Sequence, residues 1–245
     1  MNKYELHLHT AECDKAADLK AKDIVRKYYE AGYAGMVVTD HYFSIFDQWF
    51  ADELAGLDQK QRMQRWLLGY YEAREEGEKL GFTVLPGAEV RFDGLHTYSL
   101  HPDQSLQTCG NVNDYLIYGV DEQFFFDSPP LNFCKNVEEL ISLLPANACV
   151  VQAHPFRDKM TVTDPSPLFG LEVFNGGNSP FRNELAKLFA AHYGKPITSG
   201  SDYHGRNRFA SGGIMTDRII KSPTDLTNVL RSGDYTLIEN DPSQK

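Results

Sequence analysis

The chain of 245 residues has only four cysteines, Cys13, Cys109, Cys134 and Cys149, with no CxxC pair and no regular spacing. That pattern argues against a disulfide framework or a thiolate zinc ribbon, and it fits buried reduced thiols in a cytoplasmic chain. Cationic residues are also scarce, with 24 Lys and Arg against 34 Asp and Glu, a formal net charge of −10. Surfaces that bind nucleic acid or anionic membranes must neutralise phosphates, so neither a stable nucleic-acid complex nor a membrane is expected as a partner. A small anionic substrate is compatible with this balance, because bound divalent cations reverse the local field without entering the count. No apolar run reaches the roughly 20 residues that span a bilayer, and the N-terminus carries no apolar signal region. There is no internal repeat, low-complexity tract or Pro/Ser-rich linker, so residues 1–245 read as a single domain.

Short apolar runs alternate with helical stretches, the pattern of repeated β–α units and a mainly parallel sheet. Strands are expected at Tyr4–Leu8, Gly35–Thr39, Thr83–Glu89, Tyr115–Val120, Cys149–Ala153, Gly170–Phe174 and Ile197–Gly200. Helices are expected at Leu19–Ala31, Gln59–Leu80, Val137–Leu144, Phe181–His192 and Thr224–Arg231. Several end in a glycine stop, at Gly32, Gly81 and Gly194. Two connections are long: the aromatic-rich stretch Tyr42–Leu57 and the polar, turn-rich stretch Val90–Asn113. Long βα connections are where binding loops sit on such folds, although the aromatics Phe43, Phe46, Trp49 and Phe50 could equally pack a surface helix.

The chemistry is concentrated at strand ends. His7-Leu8-His9 closes the first strand, and residues two apart on a strand face the same side. The next apolar runs end in Asp40-His41, in Glu89, in His154-Pro155 and in Asp202-Tyr203-His204. One such residue is well explained as a core histidine or a capping acid. Five separate strand ends converging on one rim would crowd charges that need counter-ions, which reads as a metal site. Asp14 lies in the loop after His9; its competing reading is a helix N-cap, for which Asp18 is better placed. More than four candidate ligands implies more than one ion, with Glu89 able to bridge two.

These motifs resemble the PHP (polymerase and histidinol phosphatase) family: His7-Leu8-His9 with Asp14, Thr39-Asp40-His41, Gly87-Ala88-Glu89, Ala153-His154-Pro155 and Ser201-Asp202-Tyr203-His204. The resemblance runs over nearly the whole chain in the same order. It implies an α/β fold, a distorted (β/α)7 TIM-like barrel, with two or three divalent ions such as zinc, manganese or iron. It further implies that His7, His9, Glu89 and Asp202 hold one ion, that Glu89 and His154 contribute to a second, and that Asp14, His41 and His204 hold a third. Asp40 is similar to a partner that orients a ligand. Many members carry a further histidine after the third or fourth strand. The stretch Asp114–Asp121 has none, leaving Asp121, His96 and His101 as candidate substitutes.

The implied activity is hydrolysis of a small phosphomonoester or phosphodiester, such as a nucleotide or a sugar or amino-alcohol phosphate, by hydroxide generated on the ions. Arg157, Arg206 and Arg91 are candidate phosphate grips, and Asn175 a candidate donor to substrate. His41 or His204, where not fully engaged by metal, could protonate the leaving oxygen. Two alternatives stay open: an amidohydrolase-type C–N hydrolase, since HxH also opens those sites, and a non-catalytic metal-binding barrel.

Overall fold

Runs such as Gly35-Met36-Val37-Val38 and Cys149-Val150-Val151-Gln152 are buried on both faces, as strands covered on both sides must be. The computed structural model describes residues 1–93, 98–100, 106–108 and 112–240, with backbone only at 98–100, 106–108 and 206. Its strands are β1 (Asn2–Glu5), β2 (Gly35–Val38), β3 (His41–Tyr42), β4 (Thr83–Pro86), β5 (Ala88–Arg91), β6 (Tyr98–Leu100), β7 (Leu106–Thr108), β8 (Asp114–Tyr118), β9 (Cys149–Gln152), β10 (Gly170–Asn175), β11 (Ile197–Gly200), β12 (Ile214–Thr216) and β13 (Thr236–Leu237). One sheet has the order β13-β12-β1-β2-β4, a second the order β11-β10-β9-β8-β5-β3, and β6 and β7 pair as a hairpin. The result is a mixed α/β fold.

The two sheets share chain segments. Residues 35–42 enter the first sheet as β2 and the second as β3, and residues 83–91 do the same as β4 and β5. The second bend falls at Gly87, where a β-carbon would stand 2.7 Å from Val37 Cγ1 and 2.9 Å from the Ile117 carbonyl oxygen. The first strand is shorter than its sequence suggests. The Glu5 carboxylate takes the Leu6 and His7 amides, each at 3.0 Å, and so interrupts the regular ladder. Beyond that point residues 7–9 stay extended, with Asp202 N donating to His7 O (2.8 Å) and His9 N to Tyr203 O (3.2 Å).

The parallel expectation holds along β1-β2-β4 and β9-β10-β11 but fails at β8, which runs antiparallel to both β5 and β9. No described helix carries the chain from β5 to β8, and without a crossover the returning strand must reverse direction. This reversal brings the start of β8, Asp114, to the rim where the parallel strands end.

Side chains alternate between two apolar clusters. Val37, Leu116, Tyr118 and Val151 join one, while Met36, Val38, Ile117 and Val150 join the other, against the helices. Among the helices, Ala21–Glu30 buries Ala21, Ile24, Val25 and Tyr28, a single stripe at helical spacing. The stretch 59–80 is two helices, Gln59–Trp66 and Leu68–Leu80, rather than one. They part where Trp66 turns its indole N–H to the His41 carbonyl, at 2.9 Å. Gly32, Gly81 and Gly194 all adopt the left-handed conformation that ends a helix.

Candidate metal centre

Extended backbone at residues 7–9 puts His7 and His9 on one side, and their Nε2 atoms lie 3.3 Å apart. Glu89, paired in register with His41 across β3 and β5, sits between the histidines. Its Oε2 is 3.4 Å from His7 Nε2, 3.3 Å from His9 Nε2 and 2.8 Å from His41 Nδ1, and its Oε1 is 2.8 Å from His154 Nε2. Asp202 Oδ1 faces His9 Nε2 and His204 Nδ1, at 3.3 and 3.2 Å. Asp14 Oδ2 closes the far side, 3.4 Å from His41 Nε2 and 3.1 Å from His204 Nε2. Asp14 is not spent on a helix cap, since the N-cap position is Lys20, and Asp18 instead accepts from the Tyr203 hydroxyl.

The structure therefore brings together all eight candidate ligands: His7, His9, Asp14, His41, Glu89, His154, Asp202 and His204. Among the described residues, three donor groups each gather their ligand atoms within 4.8 Å: His9, Asp14, His41 and His204; His7, His9 and Glu89; Glu89, Asp114 and His154. Six buried atoms of this set lack a hydrogen-bond partner: His9 Nδ1, Asp14 Oδ2, His41 Nδ1, Glu89 Oε2, His154 Nδ1 and Asp202 Oδ1. Buried polar atoms are normally satisfied, so carboxylate oxygens left open among imidazoles fit divalent cations. The backbone is strained here too. His154 and Asp202 are non-glycine residues at φ 29° and 48°.

The electrostatics point the same way. Burial raises the Glu89 and Asp202 carboxyls, but the neighbouring side chains win and hold both well below the usual range. For Glu89 these are the imidazoles of His7 and His41; for Asp202 they are the Arg157 guanidinium and the His7 imidazole. Burial, then the neighbouring His41 and His204, pushes His9 down to about 3. A histidine kept neutral among ionised carboxylates has its lone pair available to a metal.

Residues that sequence reasoning overlooked complete the site. Glu172 Oε1 lies 2.9 Å from His7 Nδ1, and its Oε2 accepts from the His154 amide (2.9 Å) and from Asn175 Nδ2 (2.8 Å). It sets the His7 tautomer that turns Nε2 toward the donors. Asp114 joins Glu89 and His154 in one donor group, with Oδ2 3.7 Å from His154 Nε2. Its signal was an acid at the start of a strand, legible only once the strand is known to run backwards. Arg208 donates to Asp202 Oδ2 at 3.1 Å and to the Asp202 carbonyl at 3.0 Å.

Several assignments change. Asp121 caps the helix Glu122–Asp127, at the opposite end of β8 from the site. Asp40 accepts from Thr10 N (2.7 Å) and Thr10 Oγ1 (2.8 Å), so it fixes the loop after His9 rather than a ligand imidazole. Arg91 is held bidentately by Asp114, at 2.6 and 2.7 Å, and does not join the edge at Asp202 where Arg157 and Arg208 converge. Asn175 Oδ1 accepts from Arg157 Nη2 (2.7 Å) and from the Gly177 amide (2.8 Å), which makes it a positioning residue for Arg157 rather than an open donor. Arg157 also donates to Asp202 Oδ2 and reaches Asn178 at 3.2 Å. His96, His101 and the Arg206 side chain lie outside the described residues.

Fold and site together define an α/β chain with a metal-binding cluster at its strand ends. Residues 180–235 match the family model for the PHP-associated region. This stretch contains Asp202 and His204. No curated protein matches the chain. Solved structures share the fold. A two-domain protein from Bacteroides vulgatus, described as containing a predicted PHP-like metal-dependent phosphoesterase, is 14% identical with a TM-score of 0.63; the match covers 98% of this chain and 65% of that one. PsfC from Pseudomonas syringae is 14% identical with a TM-score of 0.59, over 98% of this chain and 92% of that one. An amidohydrolase from Chromobacterium violaceum, described with bound sulfate and no metal, is 14% identical with a TM-score of 0.52, over 99% of each chain. The PHP resemblance read from the motifs is borne out by the family match and the shared fold.

Proposed function

We propose that this chain is a metal-dependent phosphoesterase acting on a small phosphate ester. The carrying observation is the pairing of the donor cluster with two guanidiniums, Arg157 and Arg208, that converge on Asp202 at its edge. The scaffold is read as the distorted (β/α)7 barrel, supported by the segments shared between the sheets and by the hydrogen bonds that tie residues 202–203 to 7–9.

His7, His9, Glu89 and Asp202 would hold one ion, Glu89, His154 and Asp114 a second, and Asp14, His41 and His204, with His9 beside them, a third. Zinc, manganese or iron suits this mixture of imidazole and carboxylate. When bound, such ions neutralise phosphoryl charge and acidify water at neutral pH. The protein's part is to place charge and protons. Arg157, oriented by Asn175 and Asn178, and Arg208 supply fork-like donors matched to phosphate oxygens. Their side chains are 22% and 32% exposed, so solvent and substrate can reach them. His41 and His204 are 14% and 20% exposed against 0–1% for His7, His9 and His154, so where no third ion engages them they are the imidazoles able to give a proton to the leaving oxygen.

The amidohydrolase reading is weaker. Its sites commonly use a bridging carboxylated lysine, whereas the group that faces His7, His9, His41 and His154 here is the Glu89 carboxylate. A small phosphorylated substrate, without a stable nucleic-acid or membrane partner, suits the net charge of −10. No described helix is long and apolar enough to cross a membrane. We place the chain in the cytoplasm because Cys13, Cys134 and Cys149 are buried and unpaired.

The test is release of the esterified alcohol from a panel of phosphomonoesters and phosphodiesters after Mn²⁺ reconstitution. Wild type is expected to release the alcohol and Asp202→Ala to lose at least about a hundredfold. Bound metal without release from any ester would refute the assignment.

A further inference from the structure

Beside the metal centre lies an apolar cavity of about 320 Å³. It opens to solvent at Phe133, and concave, mostly apolar spaces of this size are where small ligands bind. Its walls include Phe43, Phe46, Leu57, Met63, Trp66 and Phe133. Phe43 belongs to both places: its ring centroid is 5.0 Å from that of His41. Trp66 ties the same wall to the site through its bond to the His41 carbonyl.

The walls are held in place. Arg91 lies over Phe43 at 4.6 Å, Phe46 packs against Phe50 at 5.1 Å, and Trp66 meets Tyr42 edge-on at 4.9 Å. Phe133, by contrast, is 69% exposed at the rim, a large apolar side chain with little share in the core. Arg62 is the cationic group in the lining, and Asp47 neutralises it at 2.8 Å. Among the described residues the cavity therefore offers flat apolar faces and no uncompensated positive charge, which suits a neutral aromatic ring and not a second anion.

We infer that this cavity binds the neutral, planar aromatic portion of the ester whose phosphoryl group lies at the metal centre. The inference rests on the phosphoesterase reading and narrows its substrate class. Phe43 is the shared wall over which the ester passes from the His41 side into the cavity.

The test compares 2-(1-naphthyl)ethyl phosphate with propyl phosphate, two primary alkyl esters with similar leaving oxygens, on the Mn²⁺-loaded protein. Wild type is expected to favour the aromatic ester by about tenfold or more in kcat/KM, the scale set by burying a ring of this size. Leu57→Phe, which fills the cavity, and Phe133→Ala, which opens its rim, should each bring that ratio toward one. A second readout needs neither metal nor turnover: saturable quenching of Trp66 fluorescence by 1-naphthol in a Trp49→Phe background, weakened by Leu57→Phe. Equal kcat/KM for the two esters would overturn the inference and leave the phosphoesterase assignment standing. If metal-loaded protein turns over neither ester, the mixed ester panel decides that assignment, and the quenching decides the cavity alone. Saturable quenching lost on filling supports an aromatic site, and absence of quenching overturns it.

Discussion

Replacing Glu172 with Gln should weaken metal binding although Glu172 is placed here as no ion's ligand. The carboxylate uses both oxygens, one on His7 Nδ1 at 2.9 Å and the other on the His154 amide and Asn175 Nδ2. A glutamine has one oxygen for these two tasks. If its oxygen stays on His7, its NH2 faces two donors, and a buried N–H goes unpaired at a cost of about 1–3 kcal/mol. If it turns over, its NH2 faces His7 Nδ1, the ring proton moves to Nε2, and the lone pair aimed at Glu89 and Asp202 is lost. Asn175 cannot rescue the first arrangement by flipping, because its oxygen is engaged by Arg157 and Gly177. Partners of this kind are worth about 10–100-fold in metal affinity, or about 1.4–2.7 kcal/mol. Calorimetric titration of metal-free protein with Mn²⁺ or Zn²⁺ reads this directly, with circular dichroism to check the fold. An unchanged Kd in a folded Glu172→Gln protein would refute the argument that this carboxylate orients a ligand.

Two further substitutions probe the neighbourhood. Asp114→Ala should lower bound metal by elemental analysis, and it strips Arg91 of its bidentate partner. Because Arg91 is 23% exposed, the loss of thermal stability in metal-free protein should be about 2 kcal/mol, below that of a fully buried broken pair. An unaltered metal content would remove Asp114 from the second donor group. Gly69→Ala favours the helix by about 1 kcal/mol in propensity, yet its new methyl would stand 2.0 Å from Thr10 Oγ1 and 2.7 Å from Asp40 Oδ2. Net destabilisation of about 1–3 kcal/mol is expected in urea unfolding, and a stabilised variant would show that the Thr10–Asp40 contact can move.

Much of the candidate site is legible in the sequence, because its candidate ligands sit at the ends of apolar runs. Strand periodicity alone turns His7 and His9 to one side, and a strand end is a local property. The arginines were only half legible. Arg157 stands out by its closeness to His154, whereas nothing local singles out Arg208. Arg208 donates to Asp202 from within a short 3-10 turn, a contact that only the fold makes. Glu172 is not legible in the sequence, because a carboxylate inside a strand reads as one more alternating polar residue until the strand's neighbours are known.

The sequence by itself determined which residues could bind metal, that they lie at strand ends, and where helices stop at Gly32, Gly81 and Gly194. These follow from chain-local chemistry: side-chain donors, alternation along a strand, and the conformational freedom of glycine. Only the tertiary structure decided that β8 runs backwards, which carries Asp114 to the donors and Asp121 away from them. It also decided that Asn175 and Arg91 are already engaged, and that Asp40 serves Thr10. Such outcomes depend on which groups reach one another across long stretches of chain. A buried polar group takes whichever partner folding brings to it, and sequence neighbours carry no record of that choice.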